Sequence, residues 1–266
     1  MHVSPRYSDD VLAWEYDQRQ PSPLPGELEW YLANTRRVGG PVLELTCGSG
    51  RLTIPIARAG YEIDGVDSSG AMLRRLNEKL MACDLATRER VRTFCVDMLR
   101  FPPDRMYSIV ILPYNSLQYL ETRERVAALF SRAFASVRVG GLFLFDVRRI
   151  NAADYAKGEK TVIDWLNKPV VDEKTGISVG SRFVSSFDRA MQRLANHRTY
   201  IVRRGDGSEK MFDFVTYAPV ITVQDYLGAL ENAGFKARAT SGYDGLADDG
   251  VSREICFVCE TLCTPA

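Results

Sequence analysis

The sequence predicts an α/β protein: a doubly wound sheet of seven mostly parallel strands, with a smaller antiparallel β insert. Three observations carry this. The stretch Pro41–Asp67, PVLELTCGSGRLTIPIARAGYEIDGVD, reads as strand, glycine turn, helix, strand. Helix, glycine and strand then recur at Ala59-Gly60-Tyr61, Val139-Gly140-Gly141-Leu142 and Ala233-Gly234-Phe235, the punctuation expected of parallel strands joined by crossover helices. From Ile177 to Ala218 the pattern changes to alternating runs with no helical period, which marks an antiparallel meander.

In chain order, Val11–Tyr16 is a short apolar and aromatic run, broken by Pro21, Pro23 and Pro25. A helix is expected from about Gly26 to Val38, stopped by Gly39-Gly40. Val42–Leu45 suits a strand buried on both faces. A helix over Leu52–Ala59 carries Leu52, Ile56 and Ala59 on one face and stops at Gly60; Tyr61–Val66 is the second strand. Ser68 or Ser69 caps a helix bearing Met72, Leu73, Leu76 and Leu80. Val91–Asp97 and Ile109–Leu112 are the third and fourth strands. Thr122 caps a helix expected to run to Gly140-Gly141, and Leu142–Val147 is the fifth strand. After the meander, Thr222-x-x-Asp225 opens a helix, and Phe235–Tyr243 with Ile255–Leu262 finish the sheet as a pair with an antiparallel edge. The divisions expected are residues 1–40 as an N-terminal lid and helix, 41–150 as the core, 151–220 as the insert, and 221–266 as the last helix and strands.

Ligands of such sheets sit beyond the carboxyl ends of the strands, and there the sequence gathers acids and one amide. Asp67, Asp97, Asn115 and Asp146 fall at or just past those ends, with Glu44 inside the first strand. The glycine turn lacks the third glycine of a dinucleotide fingerprint, Thr53 standing in its place, and it lacks the Lys-Ser/Thr ending of a P-loop. Glu44-x-x-x-Gly48-x-Gly50, followed by Asp67 after the second strand, resembles the S-adenosylmethionine (SAM) site of class I methyltransferases, which have a Rossmann-like core. The resemblance implies that Glu44, Thr46, Gly48, Gly50 and Arg51 lie along the methionine and ribose portion and that Asp67 binds the ribose hydroxyls. It further implies Asp97 and the Met98 backbone at the adenine, with Ser68, Met72 and Leu117 beside the cofactor. Many members have glycine where Thr46 stands, and Ser108 occupies a spot often acidic in the family.

The meander after the fifth strand is similar to the insert of glycine N-methyltransferase and the deoxysugar N,N-dimethyltransferases, which implies a roof over an acceptor pocket. The resemblance spans about Tyr16–Leu262. In that family the N-terminal part is a lid, which makes Tyr7, Tyr16 and Tyr31 candidate contacts. The element Pro113-Tyr114-Asn115-Ser116-Leu117-Gln118-Tyr119-Leu120 matches one in which a polar residue at the Tyr119 position contacts the acceptor amine. Tyr119 and Asn115 are therefore the candidate catalytic residues, with Tyr16, Tyr114, Arg148 and Tyr217 as candidate substrate contacts. Asp146, Arg149 and Arg182 are weaker candidates. Methyl transfer from a sulfonium to nitrogen or oxygen is an in-line displacement, so the protein's task is to hold the acceptor lone pair roughly 3–3.5 Å from the methyl carbon.

Composition narrows the partner. Lys plus Arg and Asp plus Glu number 34 each, and no basic tract exists, unlike the footprint of a nucleic-acid binder. A neutral or small acceptor is expected, with no nucleic-acid or membrane partner, and a homodimer through an insert edge stays open. Met1–Asp10 lacks an apolar signal core, and six scattered cysteines suit free thiols, so a cytoplasmic protein is expected. The histidines are His2 and His197. Cys256-x-x-Cys259-x-x-x-Cys263 has zinc-like spacing, but residues three apart on a strand face opposite ways, and no metal is expected. The competing readings are methylation of RNA or protein, a SAM-binding protein without catalysis, and, more remotely, a dinucleotide dehydrogenase.

Overall fold

The computed structural model describes residues 7–149, 163–188 and 190–261. Helices α1 (Asp10–Arg19) and α2 (Glu27–Val38) precede β1 (Val42–Leu45), α3 (Thr53–Arg58), β2 (Ile63–Asp67), α4 (Gly70–Met81), α5 (Leu85–Glu89), β3 (Val91–Cys95) and β4 (Tyr107–Leu112). A 3-10 turn, Ser116–Leu120, leads to α6 (Arg123–Ser136) and β5 (Val137–Arg148). Strands β6 (Ile163–Asp172), β7 (Ile177–Asp188), β8 (Arg193–Arg203) and β9 (Glu209–Pro219) follow, then α7 (Val223–Asn232), β10 (Phe235–Ser241), β11 (Leu246–Ala247) and β12 (Glu254–Thr261).

The larger sheet has eight strands in the order β11-β10-β12-β5-β4-β1-β2-β3. β3, β2, β1, β4 and β5 are mutually parallel, and β12 runs antiparallel between β5 and β10. The order reverses between β1 and β4, so connections leave in opposite directions and the carboxyl ends of these strands open a crevice. Both faces of the sheet are covered, which is why β5 reads as a continuous apolar run. Phe143 and Phe145 enter one core with Phe130, Leu129 and Leu230, while Leu142 and Leu144 enter the other with Trp30, Leu52 and Ile56. Phe145 stacks on Phe257 at 4.5 Å between ring centroids. No helix among the described residues is long and apolar enough to cross a membrane.

The four-stranded sheet β6-β7-β8-β9 is antiparallel throughout. One end of its inner face, Val179, Tyr200 and Val202, packs on Leu12 of α1. The other side of α1 is tied to the core: Asp17 accepts hydrogen bonds from Arg75 Nε (2.5 Å), Lys79 Nζ (2.7 Å) and the Ser49 hydroxyl. α1 thus straps the second sheet across the first.

Several sequence expectations are corrected. Val11–Tyr16 lies within a helix with little amphipathic signal, because α1 is clamped on two sides. The meander has a fourth strand, β6, whose alternation is interrupted at Pro169, with a register shift between Asn167 and Val170. The larger sheet gains the two-residue β11, which pairs antiparallel with β10 at the edge, while β12 lies inside the sheet, antiparallel to both β10 and β5. α6 ends at Ser136, so Gly140-Gly141 lies within β5. Gly140 is left-handed (φ +74°), and a Cβ on Gly141 would stand 2.6 Å from the Ser108 carbonyl. Those glycines allow a bulge that shifts the β4–β5 register between Tyr107 and Ile109. The expected insert start near residue 151, together with His2 and Cys263, lies outside the described residues.

Candidate active site

A cleft of about 2160 Å³ lies between the carboxyl ends of the parallel strands, α1 and the inner face of the second sheet. Of the sequence-predicted residues it is lined by Glu44, Thr46, Gly48, Arg51, Asp67, Ser68, Met72, Asp97, Met98, Leu117, Asn115, Tyr119, Tyr16, Tyr114 and Arg148. Gly50 and Tyr217 do not line it.

The floor is the loop after β1. Gly48 is left-handed (φ +55°), and a Cβ there would meet nothing within 4 Å, so the backbone lies bare toward open space. Gly50 serves a different purpose. Its φ is +87° and a Cβ would collide with Leu76 Cδ1, so it lets the loop close onto α4. Thr46 is also left-handed (φ +59°), a strained state for a β-branched residue. Its hydroxyl donates to Ser116 Oγ (2.8 Å), which donates to the Pro113 carbonyl (2.6 Å), joining the loops after β1 and β4. Glu44 is buried with Thr53 Oγ1 donating to one carboxylate oxygen (2.6 Å). Burial pushes its carboxyl up to about 8, against the lowering effects of Thr53 and Arg51. Arg51 is held by Glu27 in a bidentate pair, Nη2 to Oε1 at 2.8 Å, with its guanidinium 4.7 Å from the Tyr114 ring centroid.

Asp67 holds the floor to the second strand. Its Oδ2 accepts from the Gly48 N–H (2.9 Å) and its Oδ1 from the Ser69 N–H (2.8 Å). Burial raises the group's pKa despite these donors and the Ser68 N–H. Ser69 Oγ caps α4 by accepting from Met72 N (3.1 Å), which sets Met72 against Ala13 with Tyr7 and Tyr16 beside it. One strand further out, Asp97 accepts from Leu99 N (2.8 Å), fixing the turn that brings Met98 to the cleft.

The segment after β4 is shaped by a residue whose role the sequence did not reveal. Tyr114 (φ +62°) and Asn115 (φ +54°) are consecutive left-handed residues. Asp146, at the end of β5, accepts from Tyr114 N (2.7 Å), Asn115 N (2.8 Å) and the Tyr31 hydroxyl (3.2 Å). Burial first, then the field of Glu27, raises its carboxyl to about 6. Asn115 Oδ1 accepts from Arg148 N (3.1 Å), locking the same corner. Asp146 thus positions the Tyr114–Asn115 corner. Tyr31 is fully buried and is a support for Asp146, not a lid contact. Tyr7, Tyr16 and Tyr114 form an edge-to-face series, 5.4 and 6.4 Å between centroids, along one wall. Burial raises the Tyr16 phenol well above its usual range, although Arg51 opposes this.

The roof presents cross-strand rungs. Phe187, Leu194 and Ala218 form one, Ser185, Asn196 and Thr216 the next, and Phe183, Arg198 and Phe214 a third. Because successive residues of a strand face opposite ways, Tyr217 and Arg182 fall on the other face. Tyr217 stacks beneath Arg193 at 4.0 Å, and Arg182 is exposed. Arg148 is at the rim facing Glu254 at 3.9 Å, and Arg149 pairs with Asp248. Cys256 and Cys259 enter opposite cores, and no group of three or more His, Cys, Asp or Glu among the described residues is placed for a metal ion.

Residues 42–141 match the family model described as a methyltransferase domain. The chain carries a methyltransferase domain. It is 24% identical over 221 residues to the YqeM protein of Bacillus subtilis (strain 168), a methyltransferase by name, covering 82% of this chain and 83% of that one. The fold is similar to that of an S-adenosylmethionine-dependent methyltransferase from Clostridium acetobutylicum ATCC 824, with TM-score 0.74 and 16% identity over 96% of this chain and 99% of that one. It is likewise similar to the sugar N-methyltransferase KedS8 from Streptoalloteichus sp ATCC 53650, with TM-score 0.73 and 20% identity over 94% and 92%. The methyltransferase domain covers β1 through the first half of β5, so it contains Glu44, Gly48, Asp67, Asp97 and Asn115, while the roof lies outside it.

Proposed function

We propose that this methyltransferase transfers a methyl group from SAM to a nitrogen or oxygen of a small molecule held beneath the antiparallel roof. One observation carries the reading: the Glu44, Asp67 and Asp97 carboxylates surround a single cleft, at the carboxyl ends of three neighbouring strands, beside the bare backbone of Gly48. The residues fit the donor chemically. The oxygens of Asp67 suit a ribose diol, the turn at Asp97-Met98 an adenine edge, and the half-engaged carboxyl group of Glu44 an ammonium, whose charge would favour its ionised form. When bound, the sulfonium supplies an electrophilic methyl group.

This chain's side chains then orient the acceptor. Asn115, on the strained corner held by Asp146, and Tyr119, on the following 3-10 turn, both line the cleft between floor and roof. The second sheet covers the cleft, which favours a small molecule over a polymer. The described cysteines are free thiols, in keeping with a cytoplasmic setting. Calorimetric titration with SAM and S-adenosylhomocysteine tests the reading directly. Micromolar binding is expected, and Asp67→Ala is expected to weaken it at least tenfold, about 1.4 kcal/mol or more. Absence of binding by the wild type would refute the donor assignment. Binding without product from any amine or hydroxy acceptor would point to a non-catalytic role.

A further inference from the structure

Among the roof rungs, Arg198 is the cation that no carboxylate of the described residues faces. Its guanidinium carbon lies 4.7 Å from the Phe183 ring centroid, and the cross-strand register puts Phe214 on its other side. Its Nε is buried and has no hydrogen-bond partner. Among the described residues no carboxylate lies within ion-pairing distance of it. Four other arginines that line the cleft face a carboxylate: Arg19 faces Glu15, Arg51 faces Glu27, Arg148 faces Glu254 and Arg149 faces Asp248. Arg125 Nε is likewise buried without a partner, but its Nη2 lies 3.9 Å from Asp97.

A donor shielded from water without an acceptor is destabilising, and more so when it carries charge. Stacking on aromatic faces stabilises the cation but leaves the in-plane N–H groups unused. The adjacent rung is built for hydrogen bonding. Ser185 Oγ donates to Asn196 Oδ1 at 2.7 Å, which fixes the amide, and Thr216 stands opposite Asn196 on β9. On either side the face is apolar, with Phe183 and Phe214 in one direction and Phe187 and Leu194 in the other.

We propose that Arg198 is a specificity-determining residue that receives an oxyanion of the acceptor, a carboxylate or a phosphate ester, with the acceptor's hydrocarbon part lying along the phenylalanines of the roof. A planar guanidinium stacked on the Phe183 ring presents its N–H edge to such a group in a fixed direction, the arrangement that favours two-point recognition of oxyanions. The inference deepens the methyltransferase reading and rests on it for the acceptor's role, while the anion site itself stands on the roof alone.

The test separates the two. S-Adenosylhomocysteine binding is measured first, in wild type and in R198M and R198Q, and is expected to stay within twofold, since Arg198 is on the roof and not the floor. The protein, with and without that compound at saturation, is then titrated with benzoate, phenyl phosphate and the neutral benzamide. Wild type is expected to bind at least one anion tenfold or more tightly than benzamide, and both variants to lose that preference. A preference for benzoate assigns a carboxylate, and one for phenyl phosphate assigns a phosphate ester. Wild type without any anion preference, or variants that retain it, would overturn the proposal. If neither variant folds, phenylglyoxal labelling of wild type mapped by mass spectrometry decides. Benzoate or phenyl phosphate should protect Arg198 at least fivefold where benzamide does not, and equal labelling in all cases refutes the site. Loss of the S-adenosylhomocysteine signal with the anion preference intact would refute the donor reading alone.

Discussion

At the scale of single residues, the site runs on carboxylates taken out of water. Glu44 has a folded-state pKa of about 8 against 4.5 for the free side chain, and Asp146 about 6 against 3.8. Both are raised, so between the two values the folded state holds protons that the unfolded chain has released. Stability therefore falls as pH rises, from about 4.5 through 8 for Glu44 and from about 3.8 through 6 for Asp146. The ligand-free protein is expected to melt several degrees lower at pH 8.5 than at pH 5.5, and Glu44→Gln is expected to flatten that slope. Scanning calorimetry across the range checks both, and a melting temperature that rises toward pH 8.5 would contradict the assignment. Tyr119 carries a different expectation. If its hydroxyl orients the acceptor, Tyr119→Phe lowers kcat/KM at least tenfold, about 1.4 kcal/mol, while the affinity for S-adenosylhomocysteine is kept. Unchanged turnover would remove Tyr119 from the site. The position of Glu44 and Asp67 at the cleft was legible because both belong to one strand–turn–helix–strand unit with Gly48. It could not announce the role of Asp146, whose effect depends on reaching across from β5 to two backbone N–H groups after β4.

At the scale of elements, what could be read was what is periodic or punctuated, and what was missed depends on tertiary partners. Each parallel strand showed as an apolar run, and caps such as Ser69, Thr122 and Thr222 were visible in sequence and are made in the structure. α1 was missed as a helix because it buries residues on two sides, Leu12 and Ala13 together with Glu15 and Asp17, which erases the one-sided stripe. The roof strands were legible as strands but not in parity. Both faces of β8 mix polar and apolar residues, so the alternation alone could not choose Asn196 and Arg198 over His197 and Thr199. Tyr217 was assigned to the wrong face for the same reason. The strap role of α1 gives an expectation at this scale. Leu12 is fully buried against Val179, Tyr200 and Val202, and Leu12→Ala should cost roughly 2–4 kcal/mol. Hydrogen exchange should quicken both in α1 and at the facing ends of β7 and β8. Quickening confined to α1 would mean that the second sheet does not depend on the strap.

At the scale of the whole molecule, the two sheets are joined by more than the chain between them. α1 places Leu12 in the roof's apolar end and Asp17 among Ser49, Arg75 and Lys79 of the core. The 3-10 turn Ser116–Leu120 lies against β9 and connects the loop after β4 to the roof. A ligand on the floor therefore bears on elements that both units share, and the described chain is expected to unfold as one cooperative body. S-Adenosylhomocysteine at a hundredfold excess over its dissociation constant stabilises the folded state by about 2.7 kcal/mol. For a chain of this size that corresponds to roughly 5–10 °C in melting temperature. Calorimetry is expected to give a single transition that moves upward as a whole. Two transitions, of which only the lower or the upper one responds, would show that the roof melts independently of the floor, and the strap would then be a contact without a coupling role.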